Sequence, residues 1–331
     1  MALPFLFLLF LLPSLISLLP LAESQLTVNY YDKSCPKFPQ IIQQVINDKQ
    51  LRAPSTAGAT VRLFFHDCMV EGCDASLLIS SNTFNKAERD ADVNLSLAGD
   101  GFDLITRVKT ALELECPGIV SCSDILATAT RDLIVMVGGP NYPVLLGRKD
   151  SFVSKAEHVE GNIAKPTMPL SQILSIFASK KFSVQEMVAL SGAHTIGFSH
   201  CNQFSHRIFN FSKTSEYDPA YNPKFAKGLR SLCANYTIDP TMAAFNDVMT
   251  PNKFDNMYYV NLQRGLGLLD SDQTFAVDKS TKPFVDMYAA NQTKFFQDFA
   301  QAMGKLSFLD VKTGSLGEVR HRCDAFNTLK A

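Results

Sequence analysis

Gly58-Ala-Thr-Val-Arg-Leu-Phe-Phe-His-Asp-Cys68 has the spacing of a helix that is apolar over most of its surface. Arg62 and His66 fall four residues apart, so their side chains share one face, a turn apart. Phe65 sits beside them, and Val61, Leu63 and Phe64 supply surface to bury. A fixed cation next to a titratable imidazole in an apolar setting has the makings of an acid–base site. The plainer reading is a core helix whose Arg and His are satisfied by neighbouring carboxylates. The loop that follows, and a second histidine far downstream, bear on the choice.

That loop is Asp67-Cys-Met-Val-Glu-Gly-Cys-Asp74-Ala-Ser76. It offers carboxylates, a hydroxyl and loop carbonyls, the mixed oxygen set that a hard cation such as calcium takes. Its spacing is not that of an EF-hand, and an ordinary acidic loop is the alternative. The second histidine ends Glu186-Met-Val-Ala-Leu-Ser-Gly-Ala-His194-Thr-Ile-Gly197, where an apolar helix delivers one imidazole among small neighbours. A lone buried histidine is more often a satisfied core residue than a ligand. Two histidines in different surroundings alter that balance: His66 has an Arg partner and can act on a bound molecule, while His194 can ligate a metal. Zinc fits poorly, because there is no His-Glu-x-x-His and no Cys-x-x-Cys. His158, His200, His206 and His321 read as surface residues. A haem held by one proximal His, opposite a distal His/Arg pair, fits the rest of the inventory.

Further out, the chain has 331 residues, a formal net charge of −1 and 46% hydrophobic residues. It can bury a sizeable core and carries no electrostatic footprint for nucleic acid. Phe5 to Leu21 is Leu, Phe, Ile, Pro and Ser, followed by Ala22-Glu23-Ser24. Residues 1–24 therefore read as a secretory signal peptide cleaved before Gln25, leaving 25–331 as one domain with no stable membrane insertion. All eight cysteines follow this segment, an even count that reads as four disulfides formed in an oxidising compartment. Spacing leaves their pairing open, with only Cys68–Cys73 suggested as a short local loop. Asn210, Asn235 and Asn291 begin glycosylation sequons.

Helical spacing dominates elsewhere. Helices are expected over residues 39–51, 100–115, 121–137, 170–179, 183–190, 256–265, 281–291 and 293–306, with one more between 217 and 234. Ser55 is placed to cap the Arg62/His66 helix, and Ser183-Val-Gln-Glu186 has the form of a capping box. Residues 68–85 read as irregular, and Tyr142 to Leu146 as one short strand.

The Val61–Cys68 and Gly72–Ser76 stretches, with Leu190-Ser-Gly-Ala-His-Thr-Ile-Gly197, resemble the distal and proximal signatures of the secretory plant haem peroxidases (class III). Val120-Ser-Cys-Ser-Asp-Ile-Leu, Gly147-Arg-Lys-Asp-Ser151, Phe254-Asp-Asn-Met-Tyr-Tyr and Ser271-Asp-Gln recur in family order. The resemblance runs from about Gln25 to the end. It implies an all-α haem peroxidase fold with minimal β structure, roughly ten or more helices, and haem between distal and proximal halves. It also implies the disulfides Cys35–Cys116, Cys68–Cys73, Cys122–Cys323 and Cys201–Cys233.

By the same resemblance, His66 is the distal acid–base residue, Arg62 the distal cation, and Asn94 the partner of the second nitrogen of His66. His194 is the axial ligand of a haem b iron, and Asp272 accepts its other N–H. A first calcium uses Asp67, Val70, Gly72, Asp74 and Ser76, with a water held by Glu88. A second uses Thr195, Asp247, Thr250, Lys253 and Asp255. The implied activity is oxidation of small phenolic donors by hydrogen peroxide, by a monomer secreted to the cell wall. The implied roles are phenolic cross-linking, lignin or suberin metabolism and oxidative stress.

Some positions depart from the family pattern. Ala164 stands where a proline carbonyl meets substrate, Tyr142 where a tryptophan is usual, and Asn246 where an aromatic lies beside the proximal histidine. Ala98-Gly-Asp-Gly-Phe102 replaces Arg-Gly-Phe. None removes a catalytic group. A secreted calcium-binding wall protein with this fold and little turnover is the rival reading. An intracellular haem enzyme fed by a donor protein is disfavoured by the signal segment and the cysteines.

Overall fold

The computed structural model describes residues 26–328, and the expected signal peptide at 1–24 lies outside them. In chain order the helices are α1 (Phe38–Arg52), α2 (Thr56–Val70), α3 (Gly99–Glu115), α4 (Cys122–Met136), α5 (Leu170–Ser179) and α6 (Val184–Ser191). Strand β1 (Phe198–His200) follows, then α7 (Ser205–Ile208), α8 (Pro223–Leu232) and β2 (Ala243–Phe245). The chain ends with α9 (Met257–Gln263), α10 (Asp270–Phe275), α11 (Lys282–Ala290) and α12 (Gln292–Leu306). The fold is helical, as expected. Its one sheet among the described residues is the antiparallel pair β1–β2, with Ser199 opposite Ala244.

Helices α1 to α4 pack on one another, and α6, α9, α11 and α12 form a second group. Both groups contribute to one large buried cluster, from Ile42 and Phe64 through Leu126 to Phe295 and Phe299. A smaller cluster around Phe204, Tyr221 and Leu268 lies under α7 and α8. Local signals account for several boundaries. Ser121 caps α4 by accepting from Asp124 N, and the Ser183–Glu186 capping box is formed in both directions. Four disulfides join Cys35–Cys116, Cys68–Cys73, Cys122–Cys323 and Cys201–Cys233.

Several expectations need correction. Ser55 makes no side-chain cap to α2; its hydroxyl donates instead to Asp100 Oδ2 at 2.6 Å. Asp100 also binds Lys49 at 2.7 Å, so the altered Ala98–Phe102 segment ties the start of α3 to α1 and to the N-terminus of α2. Tyr142 to Leu146 is not a strand: only Leu146 pairs, in an isolated bridge to Thr27. The 68–85 region is less irregular than expected, since α2 runs to Val70 and a 3₁₀ turn covers Ser76–Leu78. His200 belongs to β1 and, like His158, is half-buried; only His206 and His321 are exposed.

Candidate active site

The two halves approach backbone to backbone where α2 begins. A Cβ on Gly58, at the start of α2, would lie 2.8 Å from Gly197 Cα. Gly197 follows the 3₁₀ turn Gly192–Thr195 that carries His194, and it sits at φ +89°, where an L side chain is strained. This contact sets the distal helix against the proximal turn.

On α2, Arg62 and His66 lie one turn apart. Each is held by the segment between α2 and α3. Arg62 donates its two terminal nitrogens to the carbonyl and hydroxyl of Ser96, both at 2.8 Å. Nothing in the sequence around Ser96 points to this contact, which spans 34 residues. Burial lowers the Arg62 guanidinium to about 10, but it remains a cation at neutral pH. His66 Nδ1 lies 2.7 Å from Asn94 Oδ1, and Asn94 Nδ2 donates to the Glu88 carbonyl at 2.8 Å. A carbonyl can only accept, so the amide is oriented with its oxygen toward His66. Nδ1 therefore carries the proton, and Nε2 keeps its lone pair. Burial, helped by the Arg62 charge and opposed by Asn94, pushes the imidazole down to about 3. His66 is thus a buried, oriented, neutral base. Asn94, although part of a formal sequon with Ser96, is 2% exposed, whereas Asn210, Asn235 and Asn291 are exposed.

On the proximal side, α6 and its 3₁₀ extension deliver His194. Its Nδ1 lies 2.9 Å from Asp272 Oδ1 on α10. Tyr258 on α9 donates to the same oxygen at 2.9 Å and sets its ring edge-on to the imidazole. Burial lowers the His194 basicity, but the Asp272 carboxylate more than offsets it and leaves the imidazole above its ordinary value. A carboxylate on Nδ1 leaves the lone pair on Nε2, free to coordinate a metal and a stronger donor for it.

Two oxygen clusters flank these histidines. In the first, Asp67, Asp74, Ser76 and Glu88 are all fully buried. Asp67 accepts from the Ala75 and Leu77 amides, and Ser76 Oγ donates to Glu88 Oε2 at 3.1 Å. Burial, and then the neighbouring carboxylates, push Asp67 up to about 8 and Glu88 to about 9. Asp74 Oδ2 and Glu88 Oε1 have no hydrogen-bond partner, although Lys312 Nζ stands 3.6 Å from the former. Buried acids with orphaned oxygens suit a cation. Val70 offers its carbonyl to the same turn, where it also accepts from Lys180 Nζ at 2.9 Å. Gly72 sits at φ +117° against Asp310, where no Cβ fits.

In the second cluster Thr195 Oγ1 lies within 3.5 Å of Asp247, Asp255 and the Lys253 carbonyl. Thr250 Oγ1 joins the same two carboxylates at 3.2 and 3.1 Å. Asn261, not foreseen, donates to Asp247 at 2.7 Å. Among the described residues no three His, Cys, Asp or Glu side chains are placed to hold a metal alone. Each cluster would therefore complete its set with hydroxyls and carbonyls, the ligands of a hard cation.

The departures occupy distinct places. Ala164 is half-buried in a loop joined to α10 by Ser271 N donating to the Pro166 carbonyl at 3.1 Å. Asn246 is buried and accepts from Ser199 Oγ at 2.7 Å across β1–β2. Tyr142 is buried with its hydroxyl unpartnered. No helix among the described residues is long and apolar enough to cross a membrane.

Comparison with known sequences places this geometry. A family model described as Peroxidase matches residues 41–291. Over 304 residues the chain is 60% identical to Peroxidase 65 of Arabidopsis thaliana, covering 92% of this chain and 90% of that one. Peroxidase 6 of the same plant is 58% identical over 311 residues, covering 94% and 95% of the two chains. Peroxidase 31 is 58% identical over 306 residues, covering 92% and 95%.

Proposed function

The chain belongs to the peroxidase family, and we propose that it oxidises small phenolic donors with hydrogen peroxide outside the cell, using one haem b and two calcium ions. The overall reaction is two phenols plus one hydrogen peroxide giving two phenoxyl radicals and two waters. The observation that carries this reading is the matched anchoring of two histidines. His66 is held at Nδ1 by an amide and His194 at Nδ1 by a carboxylate.

The donor set fits haem. His194 would hold it through Nε2, which the Asp272 carboxylate on Nδ1 would make electron-rich. When bound, haem supplies the redox chemistry that takes peroxide apart. The chain's part is proton handling and charge. His66 Nε2 takes the proton from one peroxide oxygen and returns it to the other, as base and then acid. Its low basicity keeps it free for the first transfer. Arg62, clamped by Ser96, neutralises the negative charge that builds on the departing oxygen. Ala164 keeps a backbone carbonyl at the donor site.

The calcium ions take the two oxygen clusters. The first involves Asp67, Val70, Gly72, Asp74, Ser76 and Glu88; the second, Thr195, Asp247, Thr250, Lys253 and Asp255. The first is tied to catalysis through Glu88, whose carbonyl holds the amide that holds His66. Secretion is supported by the eight paired cysteines and three exposed sequons.

The test is the absorption spectrum of the purified secreted protein before and after one equivalent of hydrogen peroxide, followed by guaiacol. A Soret band that falls with peroxide and recovers with the phenol is expected. A Soret band indifferent to peroxide would refute the roles given to His66 and Arg62.

A further inference from the structure

Behind His194 the structure places three tyrosines in ring contact. Tyr258 stands edge-on to the His194 imidazole, with centroids 5.9 Å apart. Tyr258 and Tyr259 are 5.0 Å apart, and Tyr259 and Tyr288 are 5.1 Å apart. All three are buried. The chain has no tryptophan, so tyrosine is its most readily oxidised aromatic side chain. Nothing in the peroxide chemistry above uses Tyr259 or Tyr288.

We propose that Tyr258, Tyr259 and Tyr288 form a relay that draws one oxidising equivalent away from the proximal side and holds it as a radical on Tyr288 when no donor is bound. The proposal rests on the peroxidase reading of the site. It gives the pocket an outlet that spares its own side chains from oxidation.

The phenol partners say where the equivalent comes to rest. A tyrosine that loses an electron becomes strongly acidic, so it is stabilised where a neighbour can take its proton. Tyr259 donates to the Val188 carbonyl at 2.8 Å, and an amide oxygen is too weak a base. Tyr258 donates to Asp272 Oδ1, but that oxygen also holds His194 Nδ1. A proton left there would weaken the histidine's anchor. Tyr288 donates to Asp298 Oδ2 at 2.8 Å. Asp298 is further held by Gln185 on Oδ2 and by Lys294 on Oδ1, each at 2.7 Å. Despite its burial, these three donors keep the Asp298 carboxyl below its ordinary range, so it is ionised and ready to accept. The Lys294 side chain is 39% exposed, so this end of the relay lies just under the surface.

The step balances. Of the two electrons that one peroxide takes, the haem would supply one and Tyr288 the other, passed through Tyr259 and Tyr258. The Tyr288 phenolic proton moves to Asp298 Oδ2, leaving a neutral phenoxyl and a neutral carboxylic acid. A phenolic donor later returns one electron and gives up its own proton toward the second water, and the proton on Asp298 goes back to Tyr288.

The test uses the haem-loaded protein, mixed with one equivalent of peroxide without donor and freeze-quenched for electron paramagnetic resonance. Parallel samples are trapped with a nitroso spin trap and mapped by mass spectrometry. A radical signal that narrows when the protein carries ring-deuterated tyrosine, with the adduct on Tyr288, is expected. Tyr259→Phe should lose the Tyr288 adduct although Tyr288 is intact. Asp298→Asn should lose the long-lived signal, and Tyr217→Phe, off the relay, should leave it unchanged. Soret absorbance confirms folding and loading in each variant. A protein that turns over guaiacol but gives no tyrosyl signal, or an adduct on Tyr288 undiminished in Tyr259→Phe, overturns the relay and leaves the peroxidase reading standing. Absence of both haem and turnover overturns the peroxidase reading, and the relay with it.

Discussion

Asn94→Ala isolates the hydrogen bond that orients the distal base. In the native protein Asn94 Oδ1 lies 2.7 Å from His66 Nδ1 in a buried setting. On the proposed reading, as His66 takes the peroxide proton its ring becomes cationic and the bond becomes charge-assisted, worth roughly 1.5–3 kcal/mol. At about 1.4 kcal/mol per decade, losing it should slow the peroxide step roughly 10- to 150-fold. Arg62 and its Ser96 clamp remain in place, so the loss should stay below that of His66→Ala. The assay is the second-order rate of Soret decay with peroxide, measured by stopped flow and normalised to haem content. The pH profile supplies an independent check. The reactive form of His66 is neutral, and its basicity is pushed down to about 3. The native rate should therefore hold as pH falls from neutrality and drop only as pH passes that value. Asn94→Asp keeps an acceptor but adds a negative charge, which favours the imidazolium and moves the acid limb to higher pH. An Asn94→Ala rate indistinguishable from native, or an acid limb unmoved in Asn94→Asp, would refute the assignment of His66 as the base.

The remaining predictions concern the frame around this bond. Gly58→Ala forces a methyl against Gly197 Cα; overpacking of this kind costs about 1–3 kcal/mol. It should lower the denaturation midpoint and perturb the Soret band together, and a normal midpoint would mean the two halves are not clasped there. Breaking Cys122–Cys323, with a sequence separation of 201, removes about 5 kcal/mol of chain-entropy stabilisation, against about 2 for Cys68–Cys73, whose separation is 5. Denaturant midpoints of the two paired Cys→Ala variants should rank in that order; the reverse would show that the short bridge acts mainly by fixing the acid loop. Chelation of calcium should lower the thermal midpoint and the peroxide rate together, reversibly, since each ion at a hundredfold excess over its Kd adds about 2.7 kcal/mol. Unchanged midpoints in metal-depleted protein would remove the cation role of the Asp67 and Asp247 clusters.

What the sequence made legible follows from the range of the interactions involved. Arg62 and His66 are one turn apart, so helical geometry alone pairs them. The Ser183–Glu186 box is equally local, and it formed as expected. Ser55 satisfied the same local pattern, yet its hydroxyl went to Asp100, 45 residues on. A cap competes with any better acceptor that tertiary structure brings near, and a carboxylate already beside Lys49 is a better one. Ser96 was hidden for a related reason: it clamps Arg62 across 34 residues, and its local context was a sequon. Strands β1 and β2 are three residues each and pair across more than 40 residues of chain, too short for alternation to register. Tyr142–Leu146 had the residue types of a strand, but only Leu146 found a partner there. Asn94, Asp272 and the Asp247 cluster entered only through family resemblance, because nothing in their own neighbourhoods points to a histidine or to one another. The two histidines make the contrast plain. Each has an acceptor on Nδ1, but His66 meets a neutral amide and stays a weak base, whereas His194 meets a carboxylate that raises its basicity. Exchanging the two acceptors would give each imidazole the basicity the other needs. On the proposed reading the division of labour would rest on Asn94 and Asp272, which lie 28 and 78 positions away from the imidazoles they hold.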